Sequence, residues 1–448
     1  TREAELGLKY VLSWSPNKHL VKAGFDVPDW NWQTYEERSN FDGTFNFASL
    51  ADYQMGRPYS FVQARGDGLA RVRQKTFGLF VQDNVQLRRN LTLGLGLRYD
   101  WQSIPSDSNN LAPRVSLAYS PGEKSRNVFR AGFGIFYDRL RSWALRDAML
   151  YDGRRLTNLI LSNPGYPDPF TGGAQTEIPP PSIVRFEDPL RLPYLMHYNF
   201  GWEHRLASGT TLSATYVGMR GVGRFRSLDA NAPIAPDFFR PDPSFGQIRQ
   251  VGNSGSITSH GLELGVRGRL TSFFEGLLRY EYGRTYSNAD RMSTLPANSY
   301  NLESEWSRSD RDRRHGFRMG GVLRAGKWFR TGIIFRLRSG SPYSMTTGRD
   351  DNQDGIARDR PAGVARNTLE GPGYARLDLR WSRDFSLWGS NNNGEEKGPR
   401  LTVDVDAFNV LNQVNYEGYV GNLSSPFFGR PVSADPARRL QLGLRVRF

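Results

Sequence analysis

Apolar residues alternate with polar or small ones along most of this chain. The clearest case is the last stretch, RRLQLGLRVRF (438–448). There Leu440, Leu442, Leu444, Val446 and Phe448 alternate with Arg439, Gln441, Gly443, Arg445 and Arg447. A period of two sends the two sets to opposite faces of a β-strand. Residues 4–14 repeat the pattern, with Ala4, Leu6, Leu8, Tyr10, Leu12 and Trp14 against Glu5, Gly7 and Lys9, and Val21, Ala23, Phe25 and Val27 follow the SPN turn. A hairpin is predicted from FGLFVQDNVQL, RRN and LTLGLGLRYDW. Phe77, Leu79, Val81, Val85 and Leu87 share a face with Leu91, Leu93, Leu95, Leu97, Tyr99 and Trp101, while Thr92, Gly94, Gly96, Arg98 and Asp100 take the other.

The rhythm continues through Val115–Tyr119 and Phe129–Tyr137, then Tyr198–Leu206 and Leu212–Tyr216. It returns at Leu262–Leu270, Phe274–Tyr282, Phe317–Leu323, Thr331–Leu337, Leu377–Phe385 and Leu401–Ala407, and lastly in the terminal strand. It breaks at 28–71, where SLADYQMGRP reads as a short helix, and over about 139–194, 219–258, 285–313, 340–371 and 410–437. About 15 strands result, joined alternately by short turns and long loops, which is the grammar of an antiparallel transmembrane β-barrel and not of a soluble sandwich. Tyr99 and Trp101, at a strand end, suit an interfacial girdle. If the short turns are periplasmic, the first and last strands both run inward. Single-chain barrels have even strand numbers, so either a strand in 28–71 is uncounted or, the favoured reading, further strands lie upstream of Thr1 and these 448 residues are not expected to close alone.

Composition changes the picture only in part. No apolar run is long enough for a transmembrane helix, and the mean hydropathy of −0.57 is compatible with strands that show lipid one face each. The absence of cysteine removes disulfides and thiolate metal sites, and suits an envelope compartment. The net charge of +14 would fit nucleic acid, anionic headgroups or anionic cargo. The basic residues are spread over strands at period two with no basic helix or module, so no nucleic-acid partner is expected.

Several stretches resemble the C-terminal barrel of Oar-like TonB-dependent outer-membrane transporters. They are FVQDNVQLRRNLTLGLGLRYDW (80–101), NLAPRVSLAYSP (110–121), FRAGFGIFYDR (129–139), SATYVGMRG (213–221), EWSRSDRDRRHGFR (305–318), TTGRDDNQDGIARDRPAGVARNTLEGPGYARLDLRWSRDF (346–385) and DAFNVLNQVNY (406–416). The resemblance implies an outer-membrane location and a barrel of about 22 strands. It also implies an N-terminal plug and a TonB-contact segment, neither of which lies in this sequence, so residues 1–448 are expected to be the C-terminal part of such a barrel. Uptake of an unidentified substrate is the function it implies. A structural or adhesive barrel that displays loops is the alternative. Gln441, Gly443, Val446 and Phe448 resemble the signal read by the barrel-assembly machinery.

Two candidate sites stand out. On the lumen register Arg98, Arg114, Arg130, Arg267, Arg279, Arg318, Arg330, Arg336, Arg376 and Arg380 outnumber acids such as Glu203, Glu263, Glu275, Asp378, Asp404 and Asp406. This is either cross-strand ion pairing in a polar wall or a basic pore that attracts anions, with some rim arginines contacting lipopolysaccharide phosphates. The second is Asp350, Asn352, Asp354 and Gly355, which copy the first half of a calcium loop, with Ile356 and Asp359 able to add oxygens. Pro361 stands where the bidentate Glu of an EF-hand belongs, leaving a short calcium turn or a metal-free Asx turn. DRDRRH (310–315) reads as a salt-bridged rim. The five histidines show no metal spacing, Gly94 and Gly96 are small lumen-side residues, and no catalytic motif appears, so an enzyme is not expected.

Overall fold

The computed structural model describes residues 2–47, 50–58, 60–122, 126–162, 164–171, 175–177, 180–207, 209–325, 329–354, 359–387 and 399–447. An 18-stranded sheet dominates. Three of its members, Leu69–Gln74, Ile183–Phe186 and Ser307–Arg308, are short pieces at one rim. The other fifteen run side by side in chain order. They are β1 (Arg2–Trp14), β2 (His19–Glu36), β3 (Thr76–Arg88), β4 (Leu91–Gln102), β5 (Leu111–Tyr119), β6 (Asn127–Tyr137), β7 (Tyr194–Arg205), β8 (Thr211–Asp229), β9 (Ile248–Arg269), β10 (Phe274–Ser287), β11 (His315–Ala325), β12 (Phe329–Arg338), β13 (Tyr374–Ser386), β14 (Arg400–Phe408) and β15 (Arg439–Arg447). Each pairs antiparallel with the next. Among the described residues, β1 and β15 each have a single neighbour.

The apolar register faces outward and is not covered. Leu6, Leu8 and Trp14 on β1, Leu95 and Leu97 on β4, Leu262 and Leu264 on β9 and Leu440 and Leu442 on β15 are all exposed, Leu440 by 73%. A soluble β-protein would bury these side chains between layers. Left bare on neighbouring strands they form the lipid-facing band of a membrane wall, because the strands satisfy one another's backbone and only side chains meet the hydrocarbon.

The buried apolar residues gather instead among the outer loops. There Tyr35, Ala70, Val72, Leu140, Ala144, Leu145, Leu150, Leu156 and Leu190 form one cluster. It joins the rim strand Leu69–Gln74 to a helix, Ser142–Leu150, inside the segment expected to be irregular at 139–194. The short helix expected near 50 is present at Leu50–Gln54. Two expected loop boundaries need correction. The 219–258 loop is largely strand, because β8 runs to Asp229 and β9 starts at Ile248. The 28–71 segment likewise contains the outer half of β2 and the rim strand Leu69–Gln74, together with Thr44–Asn46 and Ser60–Gly66, which belong to a separate four-stranded sheet. In each case the strand continues above the apolar band, where protein flanks both faces and the alternation lapses.

Candidate functional site: the basic lumen wall

The polar register of the strands carries the predicted arginines, and it treats them in two ways. Some are paired. Arg98 reaches Asp26 at 2.9 Å and Asp100 at 2.8 Å, with its side chain largely covered. Gly78, which lies between Asp26 and Asp100 in register, makes this possible, since a Cβ there would stand 2.3 Å from Arg98 Nη2. Arg130 contacts Glu203 at 3.0 Å, Arg376 contacts Asp378 at 2.8 Å, and Arg380 grips Asp406 through two nitrogens at 2.5 and 2.7 Å. Arg279 reaches Glu263 and Glu281 only at 3.7 and 3.9 Å.

Others have no carboxylate partner among the described residues. Arg114 lies with its guanidinium carbon 4.4 Å from the centre of the Phe136 ring. Arg267, Arg318 and Arg330 are exposed, and Arg336 has a buried Nε without a hydrogen-bond partner.

Strand register turns four of these residues into a row. Arg279 stands opposite Arg318, Arg318 opposite Arg336, and Arg336 opposite Arg376. Neighbouring strands lie about 4.8 Å apart, so four cations cross roughly 14 Å of wall. Like charges directly opposite repel by up to about 1 kcal/mol per neighbouring pair in water. The flanking members hold carboxylates, whereas the central pair, Arg318 and Arg336, do not.

Above this row, toward the outer rim, a cavity of about 310 Å³ is lined by Arg313, Arg338, Ser339, Ser341, Tyr374, Tyr416 and Glu417, among others. Arg338 stacks its guanidinium 4.3 Å from the Tyr374 ring centre. Burial and then the neighbouring Arg338 charge hold the Arg313 guanidinium below its ordinary pKa. The candidate arginines did not include Arg313 and Arg338. Lumen parity two residues past Arg336 was the available signal for Arg338. Arg313 belongs to the DRDRRH stretch read as a rim.

That stretch does supply a salt-bridged rim. Asp312, fully buried at its side chain, accepts from Arg308 at 2.7 Å, from the Thr285 N–H at 2.8 Å and from Arg314 at 3.5 Å. Beside it Glu305 receives Arg226 at 3.1 Å, Arg360 at 2.5 Å and Arg366 at 3.3 Å, and Arg366 also contacts Asp290 at 2.5 Å. This network ties the extension of β8 to two outer loops.

In the described part of the acidic turn, side-chain oxygens accept from the turn's own backbone. Asp359 accepts from the N–H groups of Asp351 and Asn352 at 2.6 and 3.0 Å, and Asp350 and Asn352 accept from the Asp354 N–H at 2.9 and 3.0 Å. Among the described residues no group of three His, Cys, Asp or Glu is placed to hold a metal ion. Gly355 and Ile356 of the candidate calcium loop, and Phe448 of the terminal signal, lie outside the described residues. Gln441, Gly443 and Val446 lie on the edge strand β15.

A family model described as an outer membrane beta barrel domain matches residues 2–111 and 103–365. The chain belongs to that family. Its location is therefore the bacterial outer membrane. Among solved structures the barrel is similar to the outer membrane transporter YddB of Escherichia coli, with a TM-score of 0.62 at 13% identity over 99% of this chain and 54% of that one. It is also similar to the ferric enterobactin receptor PfeA of Pseudomonas aeruginosa (TM-score 0.58, 16% identity, 99% and 54%). The FrpB iron transporter of Neisseria meningitidis is a third (TM-score 0.57, 15% identity, 99% and 54%). At such identities the likeness is one of fold, and the chain spans about half the length of these structures. No curated protein matches the chain by sequence.

Proposed function

We propose that this barrel wall belongs to a TonB-dependent uptake system and that the solute it passes is anionic. The observation that carries the second part is the row Arg279, Arg318, Arg336 and Arg376, whose central pair has no carboxylate partner among the described residues and lies below the Arg313–Arg338 cavity. Guanidinium groups that repel one another persist where an anion spends time between them, and a planar fork suits carboxylate or phosphate oxygens. Uptake is supported by the fold shared with proteins described as transporters and a receptor. TonB coupling, through a segment upstream of this sequence, rests on the Oar-like resemblance. Recognition by the assembly machinery rests on the separate resemblance of Gln441, Gly443, Val446 and Phe448 to the terminal signal of outer-membrane barrels.

The test is equilibrium binding of citrate, a tricarboxylate probe, to the detergent-solubilised protein by calorimetry, with sucrose as the neutral comparison. Arg318→Gln with Arg336→Gln should weaken citrate binding at least about tenfold, with each lost charge-assisted hydrogen bond worth about 1.5 kcal/mol or more. Equal citrate affinity in the double variant, or no preference for citrate over sucrose, would overturn the anionic reading.

A further inference from the structure

The outward face of the wall carries a second basic feature, unrelated to the lumen. Between β8, β9 and β10 lies a cleft of about 530 Å³ lined by Tyr216, His260, Leu262, Tyr282, Arg284 and Trp306, among others. Tyr216 and Leu262 are on the lipid register, and Arg284 pairs with His260 across β9 and β10 on that same register. Along β10 the outward positions read Leu278, Tyr280, Tyr282, Arg284 from the inner turn upward. Arg284 lies about ten residues above the inner end of its strand. At roughly 3.3 Å per residue and about 40° of tilt, that is near the top of an apolar band about 25 Å tall. The sequence aliphatic, aromatic, cationic therefore tracks hydrocarbon, interface and headgroup in order.

The polar groups of the cleft are arranged and not merely present. Tyr216 Oη and His260 Nδ1 are 2.7 Å apart, and Arg284 donates from Nε to Tyr282 Oη at 3.1 Å. Tyr280 Oη and His315 Nδ1, also 2.7 Å apart, continue the belt on the next strand. Arg284 is thereby held through Nε, which leaves the terminal nitrogens of its fork for another acceptor. No carboxylate lines the cleft among the described residues, so the acceptor is not supplied by the wall. Trp306, 46% exposed, closes the upper side from the outer loop.

We propose that this cleft seats the phosphate headgroup of an outer-leaflet lipid. The phosphate oxygens take the Arg284 terminal nitrogens and the free edge of His260, and an acyl chain lies along Leu262 and Leu264. Charge complementarity selects the phosphate and the height on the wall selects a lipid over a soluble anion. The proposal stands whichever solute the lumen passes.

The experiment is native mass spectrometry of the protein purified from outer membranes in detergent, titrated with dioleoyl phosphatidic acid and with dioleoylglycerol, which differ only in the phosphate. The wild-type protein should retain phosphatidic acid at least about tenfold more tightly than the glycerol lipid. Arg284→Gln should remove most of that preference, Arg284→Lys should restore part of it, and Arg154→Gln, the same charge loss on an outer loop, should leave it intact. Should Arg284→Gln fail to fold, His260→Gln and Trp306→Phe probe the same cleft. Equal retention of both lipids by the wild type, or undiminished preference in Arg284→Gln or in both substitute variants, would overturn the proposal. Full displacement by millimolar inorganic phosphate would do so too, by assigning the site to a soluble anion.

Discussion

Replacing Glu305 by Gln should unlock the outer loops while leaving the membrane wall in place. Its carboxylate is 2% exposed and is shared by Arg226, Arg360 and Arg366, themselves 1%, 9% and 10% exposed at the side chain. Removing the negative charge while keeping the shape leaves three buried guanidinium groups facing an amide. Asp290 compensates only Arg366, at 2.5 Å. Deleting one partner of a buried ion network typically costs about 3–5 kcal/mol, because the remaining charge stays buried and uncompensated. Every 1.4 kcal/mol is a factor of ten, so local opening should become about a hundredfold to several thousandfold more frequent. The opening should be local, since the network joins loop to loop and touches the spanning strands only at their outer ends, at Arg226 of β8 and at Ser287 of β10, whose carbonyl accepts from Arg366 at 2.6 Å. Hydrogen exchange by mass spectrometry reads it directly. Peptides over 288–314 and 359–373 should lose protection by that factor, while those over β4, β5 and β6 should not change. Exchange in the two loops that stays within about threefold of wild type would refute the claim that Glu305 clamps them.

Burial pushes the Asp290 carboxyl up, but Arg366 and the Ser287 and Ser309 hydroxyls outweigh it and hold the pKa below its ordinary 3.8. Its contribution is therefore fully present above about pH 4 and is lost only as pH falls through the depressed folded value, so loop protection measured by exchange should be flat from pH 5 to 8 with respect to this group. Asp359 behaves oppositely. Desolvation first, and then Asp350 and Asp351, raise its pKa despite two backbone N–H donors, so the turn should lose stability as pH rises from 3.8 through the folded value, and Asp359→Asn should abolish that slope. A calcium ion at the turn would favour the ionised carboxylate and reverse the slope, so added calcium that leaves exchange of 346–354 unchanged at pH 7 would end the calcium reading. Leu95→Arg, on the lipid register near mid-strand, should cost about 2–4 kcal/mol in urea unfolding from lipid bilayers, whereas Thr92→Arg on the lumen register should cost far less.

Strands with lipid on one side and the lumen on the other were legible in the sequence, since each residue there meets one of two very different solvents. β4 shows this in Leu93, Leu95 and Leu97 against Thr92, Gly94 and Gly96. Where β8 and β9 rise out of the membrane, the contrast disappears. Arg226 and Ser227 are both buried by loops, although they are adjacent and point to opposite faces, so alternation carries no message there. The helix Ser142–Leu150 was missed because its few buried positions, Ala144, Leu145 and Leu150, sit within a long aperiodic stretch. The lumen arginines were found by parity, but their row was not. It depends on the register of four strands, which no spacing within one strand specifies. The Glu305 network lay beyond sequence reading for a related reason, since its members come from β8 and two loops more than 50 residues apart.

The outward apolar face is the claim on which the rest depends, and the chain's lack of cysteine gives a clean background for testing it. Single cysteines placed in turn at residues 91–100 of β4 and spin-labelled in lipid bilayers would be scored for accessibility to oxygen, which concentrates in hydrocarbon, and to a water-soluble nickel chelate. The two should alternate with a period of two and opposite phase. Oxygen should be high at 93, 95, 97 and 99, and nickel high at 92, 94, 96 and 98. If the odd positions are shielded from both reagents, those leucines are buried in a protein core, and the membrane wall, its basic lumen and its lipid cleft all fall together.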